Sequence, residues 1–155
     1  MGFLHDLKLR ISPPRIEDPA FGSLLFMYIA NAPEKSYWEG EWKFPSTGTD
    51  ISIALPGDEQ GPAAVARHFY LGLPDRFETA VDAARPALQK VFRRWLGQDL
   101  PDDIFTVVTL AGFDVEDLTQ QPPKWDISFE TIGDKWLGIV VPFVGDTPQE
   151  PTVDT

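Results

Sequence analysis

The sequence predicts an α+β domain, an antiparallel sheet of about six strands in the order βββ-αα-βββ, with a kinked helix or helix pair packed on one face. Three observations predict it. In Tyr37-Trp38-Glu39-Gly40-Glu41-Trp42-Lys43-Phe44-Pro45 the side chains alternate, so an extended strand turns Trp38, Gly40, Trp42 and Phe44 to one side and Tyr37, Glu39, Glu41 and Lys43 to the other. The same alternation returns at Trp125, Ile127 and Phe129, set between Asp126, Ser128 and Glu130. Between these strands Phe77, Val81, Ala84, Leu88, Val91 and Trp95 recur at steps of four and three, the period of a helix with one buried stripe. Runs of strands separated by a block of helix place the helices across one face of an antiparallel sheet.

The chain is long enough to need no staples. At 155 residues, roughly two-thirds of the unfolded surface can be buried in one domain. Apolar residues make up 43% and aromatic residues 12%, a composition of globular and not of disordered chains. Cysteine is absent, which excludes disulfides, thiol nucleophiles and thiolate metal sites and suits a reducing compartment. The N-terminal segment is charged from its first turn and is not expected to be a secretory signal, and Asp6 stands where a myristoylation pattern requires Ser or Thr. No apolar run approaches the roughly 20 residues of a membrane span. These readings predict a cytoplasmic protein.

Each element follows from local chemistry. Phe3 to Arg10 supports one or two helical turns that must dock to persist, and Ser12-Pro13-Pro14-Arg15 is predicted to be a stiff extended linker. Residues 1–17 thus form a turn and linker, residues 18–145 the single domain, and residues 146–155 a disordered tail without aromatic residues. The first strand is the apolar run Leu24 to Ala30, and the second is the Trp38 strand. Pro45 to Thr49 reverses the chain, and Ile51, Ile53 and Leu55 alternate in a third strand antiparallel to the second. Pro56-Gly57 is expected to end this meander.

Asp58, Glu59 and Pro62 have the character of a helix start. A first helix carries Val65, Ala66, Phe69, Tyr70 and Leu73 inward, with Gly72 and Pro74 predicted to interrupt it. The second helix carries the Phe77–Trp95 stripe, kinks at Pro86, whose ring nitrogen cannot bond to Asp82, and ends at Gly97. Ile104 to Ala111 is predicted to be a buried strand, Gly112 to Pro123 a loop, and Gly133-Asp134 a two-residue hairpin turn into a last strand from Trp136 to Val144.

Motifs for chemistry are sparse. Only His5 and His68 could serve a Ser-His-acid arrangement; the first lies in the terminal turn and the second on the polar side of the first helix. Neither G-x-S-x-G, G-x-G-x-x-G nor G-x-x-x-x-G-K-[ST] occurs. The acidic groups Asp58-Glu59, Asp99 with Asp102-Asp103, and Asp114 with Glu116-Asp117 lack the offsets of a calcium loop and are predicted to cap and solvate the ends of elements. Glu39 and Glu41 point the same way, about 6.5–7 Å apart along a strand, a spacing within the range of carboxylate pairs that hydrolyse glycosides. No catalytic residue, cofactor or metal is expected.

A surface remains. The net charge of −11, from 24 acidic and 13 basic residues, disfavours nucleic acid and anionic membranes as partners and favours a basic protein. If the two Trp-bearing strands belong to one sheet, Tyr37, Glu39, Glu41, Asp126, Ser128 and Glu130 share its outer face, with Lys43 the one base. That face is the predicted partner-binding site, fit to attract a basic protein at long range.

The strings Asp18-Pro19-Ala20-Phe21-Gly22, Tyr37-Trp38-Glu39-Gly40, Phe44-Pro45 with Thr47-Gly48, and Gly61-Pro62 leading to Phe69-Tyr70 resemble a family of small bacterial proteins. Its pattern is D-P-x-F-G … Y-W-E-G … F-P-x-T-G … G-P … F-Y. The resemblance covers the first half of the domain and implies a bacterial origin and a compact α+β fold, without implying an activity or catalytic residues. The expected function is a non-enzymatic, cytoplasmic protein-interaction module of the acidic inhibitor or immunity type. The alternative is a small-molecule binder or carboxylate-dependent hydrolase, with a tryptophan-lined cleft between helices and sheet.

Overall fold

A computed structural model describes residues 2–155. Among the described residues the fold is α+β, with ten strands instead of about six and, of the kinked helix or helix pair expected, one long kinked helix. Helix α1 (Phe3–Ile11) leads into β1 (Arg15–Asp18), β2 (Gly22–Met27), β3 (Tyr37–Lys43), β4 (Asp50–Asp58) and β5 (Gly61–Pro62). Helix α2 (Ala64–Val91) separates these from β6 (Val108–Asp117), β7 (Lys124–Thr131), β8 (Gly138–Val144), β9 (Thr147–Pro148) and β10 (Thr152–Asp154). The chain divides into two compact units, the first made of Met1–Phe44 and Asp50–Gly72, the second of Pro45–Thr49 and Leu73–Thr155.

In the first unit β1, β2, β3 and β4 lie side by side in chain order and antiparallel, and β5 folds back on β4. The predicted antiparallel pairing of β3 with β4 holds. Trp38 faces Leu55, Gly40 faces Ile53 and Trp42 faces Ile51, so both strands turn their apolar residues to one side. Trp38, Phe44 and Leu55 are fully buried there. Phe21 meets Trp42 edge-on at 5.0 Å and Tyr70 at 6.3 Å, while the Tyr70 hydroxyl donates to the Ala54 carbonyl at 3.0 Å. The indole N–H of Trp38 donates to the Asp58 carbonyl at 2.7 Å, satisfying the one polar atom of a buried ring.

Two expectations for this unit change. The predicted linker after Pro14 becomes β1, because the extended backbone that proline imposes is already strand-like and pairs with β2 from Arg15↔Leu25 to Asp18↔Gly22. The predicted helix start at Asp58–Pro62 is a strand reversal. Asp58 accepts from the Gln60 amide at 2.9 Å, Gly61 adopts φ +144°, and Pro62 pairs with Gly57. The acidic and proline signals there belong to a turn. Helix α1 docks as expected of a marginal segment, through Leu9, a 3.0 Å hydrogen bond between His5 and Glu59, and one from Tyr28 to Asp6. Phe3 and Leu4, read as its apolar positions, stand exposed.

Neither Gly72 nor Pro74 breaks α2, which runs unbroken through Pro74 and Pro86 as one kinked helix. Buried residues on both sides of each proline hold the helix together: Tyr70, Leu73 and Phe77 around Pro74, and Ala84 and Leu88 around Pro86. Their burial outweighs the roughly 3 kcal/mol an internal proline costs. Val65, predicted inward, is half exposed. At the C-terminal end a π-helical turn over Phe92–Leu96 shifts the phase of the stripe. Val91 and Phe92 are buried, and Trp95, predicted inward, is 37% exposed. Gly97 terminates the turn in the left-handed conformation, φ +62°, as predicted.

In the second unit β6, β7, β8 and β10 are successive antiparallel neighbours, with β9 also on β8. Ile104–Thr106 is a short 3-10 turn whose N-cap, Asp103, accepts from the Phe105 amide. Strand β6 then continues through the predicted loop as far as Asp117. Irregular register between Leu110 and Gly112 explains why the sequence hides it, since a bulge interrupts the period-two pattern that marks a strand. The predicted two-residue turn at Gly133-Asp134 is part of a longer loop, closed by Thr131, which accepts from the Leu137 amide at 2.7 Å and donates to the Lys135 carbonyl at 2.8 Å. The tail predicted to be disordered instead supplies β9 and β10 to the edge of β8. Among the described residues no helix is long and apolar enough to cross a membrane.

Candidate interaction surfaces

The outer side of the first unit follows from the registers already given. Arg15, Leu25, Glu39 and Ala54 form one row across β1–β4, and Glu41 and Ser52 are partners in the next. Beside them lies a bowl of about 630 Å³ whose lining includes Arg15, Ser23, Leu25, Glu39, Glu41 and Ser52. Gly40, between the two glutamates, is required by close approach. A Cβ there would lie 2.7 Å from both the Ser23 carbonyl oxygen and Leu24 Cδ2, so the start of β2 approaches β3 at a distance only glycine permits. Arg15 donates to the Ser23 hydroxyl at 3.5 Å and, among the described residues, makes no ion pair.

Asp18, at the end of β1, has a structural task. Its carboxylate accepts from the Ala20 and Phe21 amides and from Arg67 Nε and Nη2 at 2.8 and 2.7 Å. The Arg67 guanidinium, also placed over the Phe21 ring, holds this carboxyl below its ordinary range, against the opposing effect of burial. The residues quoted for the family resemblance therefore meet in packing and turn geometry: Asp18 in a turn, Phe21 on Trp42 and Tyr70, Gly22 and Gly48 at positive φ, Trp38 and Phe44 in the core.

On the second unit Asp126, Ser128 and Glu130 project from one side of β7, opposite the buried Trp125, Ile127 and Phe129. Asp126 is the cross-strand partner of Asp114 on β6, and Glu116 follows two residues along that strand. Partial burial, followed by the like charges of Asp114 and Glu116, pushes the Asp126 carboxyl up to about 6, and the Asp114 amide that it accepts from only partly offsets them. Neither Asp114 nor Glu116 was expected on this face, because the bulge had made their strand read as a loop. Lys124 is the only base along β7.

The predicted site thus falls into two groups, Tyr37, Glu39 and Glu41 on the first unit and Asp126, Ser128 and Glu130 on the second, each sharing one side of its strand. Glu39 and Glu41 line the bowl, whereas Tyr37 does not. The tryptophans expected to line a cleft are core residues instead: Trp38, Trp42 and Trp125 are at most 7% exposed and pack on Phe26, Phe44 and Phe143. His68 is exposed on α2, and among the described residues no group of His, Asp and Glu side chains is arranged to hold a metal ion. Comparison with protein-family models, with curated proteins and with solved structures finds no match.

Proposed function

We propose that this protein is a non-enzymatic interaction module of the acidic inhibitor or immunity type, which docks a basic protein against the outward-facing acids of its strands. The observation that carries the reading is the environment of Asp126, whose proton affinity is raised by partial burial and by Asp114 and Glu116 beside it. A partner's lysine or arginine placed among these carboxylates would relieve their repulsion and favour the charged form of Asp126. The charge balance supports the same surface. The second unit has fifteen acidic and seven basic residues, the first nine and six, so attraction of a basic partner is strongest toward the second.

A fluorescent lysine-rich peptide tests the reading by anisotropy. Binding is expected to weaken steeply between about 50 and 200 mM salt and to be lost on joint Asp126→Lys and Glu130→Lys substitution. A control with the same charge change, Asp82→Lys with Asp146→Lys, is expected to retain it. Equal loss in both variants would reduce the interaction to net charge and remove the proposed surface.

A further inference from the structure

The bowl on the first unit holds opposite charges that do not neutralise one another. Arg15 and Glu39 flank Leu25 in one row, so their Cα positions are about 10 Å apart, two strand spacings. Arg15 leans toward the Ser23 hydroxyl, 3.5 Å from it, and pairs with neither glutamate. Glu39 and Glu41 point the same way from β3, and Ser52 faces Glu41 from β4. The about 630 Å³ between these groups is large enough for a small molecule and falls within the range of ligand sites.

We propose that this bowl binds a short peptide with free ends, of dipeptide length. Its ammonium group is held by Glu39 and Glu41, and its carboxylate by Arg15, whose planar fork suits a carboxylate. The span selects the length. Two extended residues cover about 7 Å, which side chains leaning inward from positions about 10 Å apart can bracket. A single amino acid carries its two charges on adjacent groups and reaches only one wall. Ser23 supplies a hydroxyl for the peptide bond, and Leu25 supplies an apolar floor for a side chain. This site lies in the first unit and does not depend on the docking surface proposed for the second.

Titration of the isotopically labelled protein with glycylglycine and alanylalanine, followed by backbone amide NMR, tests the proposal. Saturable shifts are expected at Gly22, Gly40 and Ser52. Arg15→Ala and Glu41→Gln, both at exposed positions, are each expected to weaken binding about tenfold, the loss of one charge-assisted contact. N-acetylglycylglycine, lacking the ammonium, is expected to bind correspondingly less well, and Glu78→Gln, at an exposed position of the second unit, to leave the titration unchanged. Absence of saturable shifts up to about 50 mM, a concentration far weaker than useful recognition, would overturn the proposal. So would free glycine or the acetylated peptide binding as tightly as glycylglycine, or Arg15→Ala leaving affinity intact.

Discussion

Two aspartates of this protein are perturbed in opposite senses, and stability should record both. Asp126 is raised from 3.8 to about 6 by partial burial and by its neighbours Asp114 and Glu116. Its folded form holds a proton that the unfolded form has already lost. Stability from this group is therefore complete below about pH 4 and is lost as pH rises through about 6. Asp126→Asn should stabilise the protein at pH 7.5 by about 1–2 kcal/mol, a value reduced for solvent screening, with the gain vanishing below about pH 4. Urea melts of both proteins at the two pH values check it. Asp18 behaves inversely. Its carboxyl, 6% exposed and paired with Arg67, is depressed, so its contribution is present above the ordinary aspartate range and fades as pH falls through the folded value. Asp18→Asn should cost about 2 kcal/mol at neutral pH, and the gap should narrow in acid.

At the scale of elements, the clearest constraint is the close approach of β2 to β3 at Gly40. Gly40→Ala would drive a methyl group into the Ser23 carbonyl, and because that obstacle is backbone, not a flexible side-chain end, the cost should reach about 2–3 kcal/mol. Gly97→Ala, strained only by its positive φ and with open space around it, should cost about 1 kcal/mol. Thermal melts of the two variants rank them. How legible these elements were depended on unbroken period. The shared apolar face of β3 and β4 could be read from Trp38, Trp42, Ile51 and Ile53 because alternation runs through all of them. Strand β6 could not, because one bulge places Phe113 out of step, and with it Asp114 and Glu116 were lost from the acidic face. The end of α2 failed for a related reason, a π-helical turn that takes Trp95 off the buried stripe. Local signals at Pro14 and Asp58–Pro62 were real but ambiguous, since prolines and acids mark strand entries and turns as well as helix starts.

For the whole molecule, the C-terminal segment is the part whose role differs most from what its composition suggests. Polar, acidic and without aromatic residues, residues 146–155 nonetheless pair with β8 through Thr147–Pro148 and Thr152–Asp154, and the Trp125 indole donates to the Gly145 carbonyl just before them at 2.8 Å. Removing residues 147–155 should bare the β8 edge, lower the melting temperature by about 4 °C or more, and promote self-association through the freed strand. Calorimetry and sedimentation of the truncated chain test this. Of the two candidate surfaces, Glu39 and Glu41 on the first unit and Asp126 and Glu130 on the second were readable from alternation alone. Arg15, Ser23 and Ser52 were not, because a bowl arises from register among strands distant in sequence.

Burial of the tryptophans is uneven in a useful way. Trp38, Trp42 and Trp125 are shut away in the core, while Trp95 and Trp136, both in the second unit, are 37% and 49% exposed. A water-soluble quencher such as iodide should therefore dim light emitted from the second unit and spare the indoles of the first. With Trp95 and Trp136 replaced by phenylalanine, the remaining emission is dominated by sheltered rings, and its red shift during denaturation becomes an optical gauge of core opening that needs no added label.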